Sequence, residues 1–152
     1  MRMMTREDNG PYNIFTETEL TVEFFDVDAM QVVWHGNYVK YFEIGRRTLL
    51  EKIDYYYYDM LKTEYLFPVI DISAKYLSSL RFLDRIRIKS ILMEYENRLK
   101  IKYEIRNAET GVLTTKGSST QMVFDMKTGE TCFVCPVALT EKVEALIREN
   151  KQ

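Results

Sequence analysis

Between Val22 and Tyr38 the chain gathers two aspartates, Asp26 and Asp28, with its only histidine, His35, and its only tryptophan, Trp34. A helical pattern begins immediately afterwards, with Asn37 placed as its N-cap. A carboxylate in such a loop can act as a nucleophile or a general base. The unpaired N–H groups of a helix's first turn favour negative charge, including charge that develops during a reaction. The same residues also have structural readings. Asp28 can cap the turn or the helix start, Asp26 can stabilise the loop, and His35 can close the loop by bonding to backbone. Spacing alone leaves both sets of readings open.

The elements that must position this segment are legible on either side of it. Before it, Thr16 to Phe24 alternates, with Thr18, Leu20, Val22 and Phe24 opposite Glu17, Glu19, Thr21 and Glu23, as in a half-buried strand. After it, Tyr38, Tyr41, Phe42, Gly45, Leu49 and Ile53 recur at helical spacing up to Ile53. Gly45 within that stripe costs up to about 1 kcal/mol of helix propensity, a cost that close packing against a sheet would justify. Strand patterns follow at Pro68–Tyr76, with an edge position suggested by Pro68, then at Asp84–Tyr95, Arg98–Arg106 and Val112–Met126. Turns separate them at Asn107–Gly111 and Lys127–Glu130, and Thr140 is expected to cap a last helix, Glu141–Glu149. Residues 1–12 are polar and end in Gly10-Pro11, which suggests a flexible lead-in; residues 13–152 read as one domain. The order implies an α+β fold, a curved antiparallel sheet with a long helix along one face.

Composition narrows the function classes. The 152 residues are 46% hydrophobic and 29% charged, with a formal charge of -2, so the whole chain carries no signal for nucleic acid. No stretch approaches the roughly 20 apolar residues needed to cross a bilayer, and the first residues lack the apolar core of a secretion signal, so a cytoplasmic location without membrane partners is expected. Cys132 and Cys135 form a lone Cys-x-x-Cys. A zinc site would need two more ligands, and residues three apart on a strand point to opposite faces. They are expected to be ordinary buried cysteines, with no metal site.

The segment from Asp26 to Glu43 resembles the motif of the 4-hydroxybenzoyl-CoA thioesterase family of hotdog-fold proteins. That motif runs aromatic-x-Asp-x-Asp, two residues, Gly-Val-Val, aromatic-His, two residues, Tyr, then a Glu in the helix. Asp26, Asp28, Val32, Val33, Trp34, His35, Asn37, Tyr38 and Glu43 carry the match. Gln31 departs from it, standing where the family has glycine, so a different loop path is expected there. Phe24 departs as well, where some relatives have a tyrosine hydroxyl.

The resemblance implies a hotdog fold, a sheet of about five strands around a long central helix with a C-terminal helix. It implies hydrolysis of a small or medium acyl-CoA. Asp28 would attack the thioester or activate water, and the N–H of His35, with Gly36, would meet the carbonyl oxygen. Asn37 and Tyr38 would contact substrate, and Glu43 would contact substrate or orient the loop, with a solvated or structural role as the alternative. No cofactor is implied, because coenzyme A is part of the substrate and a thiolate with a pKa near 8.5 departs without strong acid assistance. Lys75, Arg81 and Arg85, with Arg87, are expected around one turn, where cations could meet the coenzyme A phosphates. Tyr55–Tyr58 are expected to pack or form an interface, with a share in an acyl pocket as the alternative. The resemblance also implies a homodimer or homotetramer with active sites between protomers. Two other functions stay open: an acyl-carrier-protein thioesterase, and a non-catalytic acyl-CoA binding module.

Overall fold

The computed structural model describes residues 7–151. The first half of the expected lead-in, residues 1–6, lies outside the described residues. Residues 7–12 are tied to the rest of the chain. Lys102 Nζ donates to Asp8 Oδ2 (2.7 Å) and Lys89 Nζ to Asn9 Oδ1 (2.6 Å). The Tyr12 ring meets Tyr95 edge-on at 5.1 Å.

β1 (Phe15–Thr21) ends sooner than its alternation implies. Val22 is fully buried, and then Phe24–Asp26 winds into a single 3-10 turn. The cause is Asp26, whose buried carboxylate accepts the Glu23 N–H at 3.0 Å and pulls the chain round. Phe24, expected on the inner face, is instead 74% exposed and packs edge-on against Phe82.

α1 (Asn37–Ile53) buries Tyr38, Tyr41, Phe42, Gly45, Leu49 and Ile53, the stripe that the spacing predicts, and Leu50 beside it. At Gly45 an added Cβ would overlap Ser90 Oγ and come within 2.8 Å of Ile88 Cγ2. Glycine is therefore what lets the helix lie this close to the sheet. Asn37 is the first helical residue rather than the cap, because its side-chain amide donates to the Asp26 carbonyl (2.8 Å) instead of accepting from the helix.

Asp54, at φ 69°, ends α1, and a short helix that the sequence reading did not include follows, α2 (Tyr57–Thr63). Asp59 accepts the Tyr56 N–H (3.1 Å) and so starts it. Tyr55 enters the core and bonds Thr63 Oγ1 (2.8 Å), while Tyr57 and Tyr58 are exposed.

Next come β2 (Tyr65–Leu66), β3 (Val69–Tyr76), β4 (Arg85–Glu94), β5 (Leu99–Asn107), β6 (Leu113–Gln121), β7 (Val123–Asp125), β8 (Glu130–Cys132) and α3 (Val137–Asn150). The main sheet is antiparallel in the order β1-β4-β5-β6-β3, with β3 on an edge as Pro68 suggests, and β2-β7-β8 form a second, small sheet. The expected single strand Val112–Met126 is therefore two. Pro68 has no N–H with which to extend a ladder. Opposite it, Met122 N–H donates to the Pro68 carbonyl (3.1 Å), and Gln121 Nε2 donates to the Phe67 carbonyl (2.7 Å). Both chains leave the main sheet at that point.

The last helix starts earlier than expected, at Val137 after Pro136, and Thr140 lies in its first turn. Cys132 and Cys135 are free, and burial pushes the Cys135 thiol up to about 12. The core lies between α1 and the inner face of β4 and β5, where Ile86, Ile88, Leu92, Leu99, Ile101, Tyr103 and Ile105 are buried. The inner face of β3 stays open, with Ile70 and Ile72 exposed.

Candidate active site

The segment between β1 and α1 is a short hairpin. Val27 bridges Val33, Asp28 N–H donates to the Val32 carbonyl (2.9 Å), and Gln31 N–H donates to the Asp28 carbonyl (2.9 Å). Gln31 closes the turn at φ 66°, in the left-handed region that favours glycine. It takes a glycine-like conformation and bears the strain.

Asp28 is half-buried. Its Oδ1 accepts the Met30 N–H (2.8 Å), while its Oδ2 accepts no hydrogen bond among the described residues. The carboxylate thus caps its own turn with one oxygen and leaves the other available.

Asp26 anchors the hairpin. It is 2% exposed, ion-paired with Lys40, and accepts the Tyr41 hydroxyl (2.9 Å) as well as the Glu23 N–H. Burial alone would raise its pKa, but the Lys40 ammonium and these hydrogen bonds outweigh it and hold the carboxyl below its usual range. Burial, with the Asp26 charge beside it, pushes the Tyr41 hydroxyl well above its usual range. The Asp26 backbone carbonyl also accepts the Trp34 N–H (3.0 Å) and the Asn37 amide, which ties the hairpin to the helix start.

At that start, the N–H groups of His35 and Gly36 have no acceptor among the described residues. The Trp34 ring lies where a Cβ on Gly36 would be, so any other residue there would have to push the half-exposed ring aside. The His35 carbonyl accepts the Tyr38 N–H (3.4 Å) and the Tyr76 hydroxyl (3.1 Å). Val33, His35, Tyr38, Tyr76, Leu77, Ser78 and Ser79 enclose a shallow pocket of about 230 Å³. A half-free carboxylate and two unpaired N–H groups on one hairpin–helix junction suit a reaction that passes through an oxyanion.

The profile of the thioesterase-like superfamily matches residues 22–145. The chain belongs to that superfamily.

Individual relatives agree with this. The "Putative acyl-CoA thioesterase YneP" of Bacillus subtilis is 29% identical over 111 residues, covering 72% of this chain and 80% of that protein. A DHNA-CoA thioesterase from Staphylococcus aureus superposes with a TM-score of 0.76 at 30% identity, over 91% of this chain and 96% of that one. An aspartate-to-asparagine mutant of 4-hydroxybenzoyl-CoA thioesterase, complexed with 4-hydroxybenzoyl-CoA, superposes with a TM-score of 0.75 over 86% of this chain and 99% of that one. At 13% identity that last likeness is one of fold. The sheet and helix described above are the hotdog fold, and the protein is a thioester hydrolase of the thioesterase-like superfamily.

Within this thioesterase the sequence-predicted residues divide into groups. Asp28 lies in the hairpin turn and does not line the pocket, and His35, Gly36, Asn37 and Tyr38 lie at the helix start. His35 and Tyr38 line the pocket, whereas the Asn37 amide is spent on Asp26. Glu43 lies further along α1 and pairs with Arg46 at 2.8 Å.

The expected cation cluster does not assemble. β3 and β4 are separated by β6 and β5, about 14 Å of sheet, so residues 77–84 form a crossover rather than a hairpin turn. Lys75 stands opposite Lys116 on β6, Arg81 lies in the crossover, and Arg85 and Arg87 are engaged by Glu19. Tyr55–Tyr58 lie beyond the far end of α1, about 25 Å along the helix from the hairpin. Tyr76 was missed as a site residue. In sequence it is only the last member of an alternating strand.

Proposed function

We propose that this thioesterase hydrolyses a small or medium acyl-CoA to the free acid and coenzyme A. Asp28 serves as nucleophile or general base, and the N–H groups of His35 and Gly36 receive the oxyanion. The observation that carries this reading is the pair of unpaired N–H groups on the same hairpin as an aspartate with one free oxygen. Removing one oxyanion donor in other hydrolases costs about 10²–10³ in kcat, which shows how much of the rate such donors supply. The leaving thiolate needs little acid help, so the reading requires neither a metal nor a redox cofactor. The names of the relatives support coenzyme A as the carrier. The pocket beside His35 supports an acyl group of limited size. A cytoplasmic location belongs to the same reading, and no helix among the described residues is long and apolar enough to cross a membrane.

The test is coenzyme A release from acetyl-, hexanoyl-, palmitoyl- and benzoyl-CoA by wild type and Asp28→Asn. We expect the variant to fold and to lose about two orders of magnitude or more in kcat. Equal turnover in both would remove Asp28 from the mechanism. Tight binding without turnover by wild type would make the protein a binding module.

One observation favours a protein carrier as a second reading. Lys75, Lys100, Lys102 and Lys116 stand together on the outer face of β3, β5 and β6, and a patch of that sign suits an acidic acyl-carrier protein. Activity on an acyl-carrier protein that falls steeply with salt, and exceeds activity on the matching acyl-CoA, would decide for it.

A further inference from the structure

The His35 carbonyl and the Gly36 N–H belong to one planar peptide unit, so whatever holds the carbonyl also aims the N–H. Two groups hold it. The Tyr38 N–H reaches it at 3.4 Å, and the Tyr76 hydroxyl donates to it at 3.1 Å from the end of β3, forty-one residues away in sequence. The Tyr76 bond is the shorter one, and it is the one that comes from outside the helix.

The Tyr76 ring is itself held. It packs edge-on against Tyr38 at 4.9 Å. Thr115 is the residue paired with Tyr76 across β6 and β3. The ring is therefore set by α1 on one side and by the β3–β6 pairing on the other, and its hydroxyl reaches the His35 carbonyl from there.

We propose that Tyr76 is a positioning residue for thioester hydrolysis, its hydroxyl orienting and polarising the His35–Gly36 peptide so that the Gly36 N–H is a stronger oxyanion donor. This rests on the oxyanion site proposed above. A hydrogen bond accepted at a carbonyl strengthens the N–H of the same peptide, because bonds in a chain polarise one another. The gain is largest when full negative charge sits on the acceptor, which is the transition state and not the bound thioester. Loss of the hydroxyl is then felt in kcat rather than in KM.

The experiment uses Tyr76→Phe in the full chain, which keeps the ring against Tyr38 and removes only the hydroxyl. Kinetics are measured on whichever of the four acyl-CoAs wild type turns over best. The Gly36 amide 1H and 15N shifts are recorded in both proteins without substrate. A weakened donor costs less than a deleted one, so we expect kcat to fall about tenfold with KM within about twofold. The Gly36 amide proton should move upfield in the variant, a change that tracks the carbonyl bond and that loss of packing elsewhere would not produce. An unchanged kcat, a rise in KM alone, or an unmoved Gly36 amide overturns the proposal. Wild type that turns over normally with Asp28→Asn inactive keeps the hydrolysis reading intact in that case. Wild type with no turnover on any thioester overturns both.

Discussion

Asp26 and Asp28 are separated by one residue and do different work, and their surroundings explain why. Asp28 keeps an oxygen free at the edge of a turn, whereas Asp26 is buried with Lys40, Tyr41 and the Glu23 N–H around it. A buried carboxylate so fully bonded is a structural anchor, and its depressed pKa is the measure of that. The unfolded carboxylate titrates near 3.9, and the folded one lower. The folded state is therefore favoured by this group in full above about pH 4, and the contribution is lost as pH falls through the folded value. Asp26→Asn should cost about 2 kcal/mol at pH 7, discounted because Lys40 is partly exposed and can be resolvated. The gap between wild type and variant should close as the pH is taken below 4. Urea melts at pH 7, 5 and 3 check this, and a gap that stays constant with pH would show that Asp26 is not the titrating anchor.

At the scale of elements, the hairpin and α1 form one unit whose sequence was largely legible. The helical stripe predicted every buried residue of α1 except Leu50, because 3.6-residue periodicity answers directly to one flat partner. Gly45 announced the close approach to Ser90 and Ile88. The segment proposed as catalytic was legible only through its resemblance to a known motif, since Asp28 by spacing alone reads as a cap, and its Oδ1 does cap its own turn. Less legible were features set by hydrogen bonds between distant residues. The break between β6 and β7 depends on Pro68 and Phe67 across the sheet, and α2 hides within a run of tyrosines. The Lys75–Arg85 segment looked like a hairpin turn because sequence proximity says nothing about which edge a strand joins.

Gln31 shows the same limit in a testable form. A side chain in the left-handed region costs about 1–2 kcal/mol, and glycine there gives back part of that through its freedom in the unfolded chain. Gln31→Gly should leave kcat unchanged and raise stability by up to about 1 kcal/mol. Thermal and urea unfolding of the two proteins measure it. A loss of stability on introducing glycine would mean that the Gln31 side chain makes a compensating contact.

At the scale of the whole molecule the main sheet ends in two edges, β1 and β3, and the β3 edge is the more apolar and exposed. β3 runs from Val69 to Tyr76, has β6 on one side only, and exposes Val69, Ile70, Ile72 and Tyr76. A long apolar edge with unpaired N–H and C=O groups is a surface that soluble chains cover, and a second copy of the same edge is the self-complementary way to do so. Tyr76 lies on this strand and in the pocket, so covering the edge and completing the site are linked. The resemblance implies the same arrangement, with active sites between protomers. Ile72→Lys places a charge on the edge without disturbing β6, whose Ser119 is its cross-strand neighbour. We expect wild type to run as a multiple of the chain in light scattering and the variant to run as a single chain with its helix and sheet signals retained. Turnover should fall with dissociation, and wild-type activity per protomer should decline on dilution through the same concentration range. A wild type that is monomeric at tens of micromolar and fully active would refute the coupling, and the open inner face of β3 would then have to be closed by substrate alone.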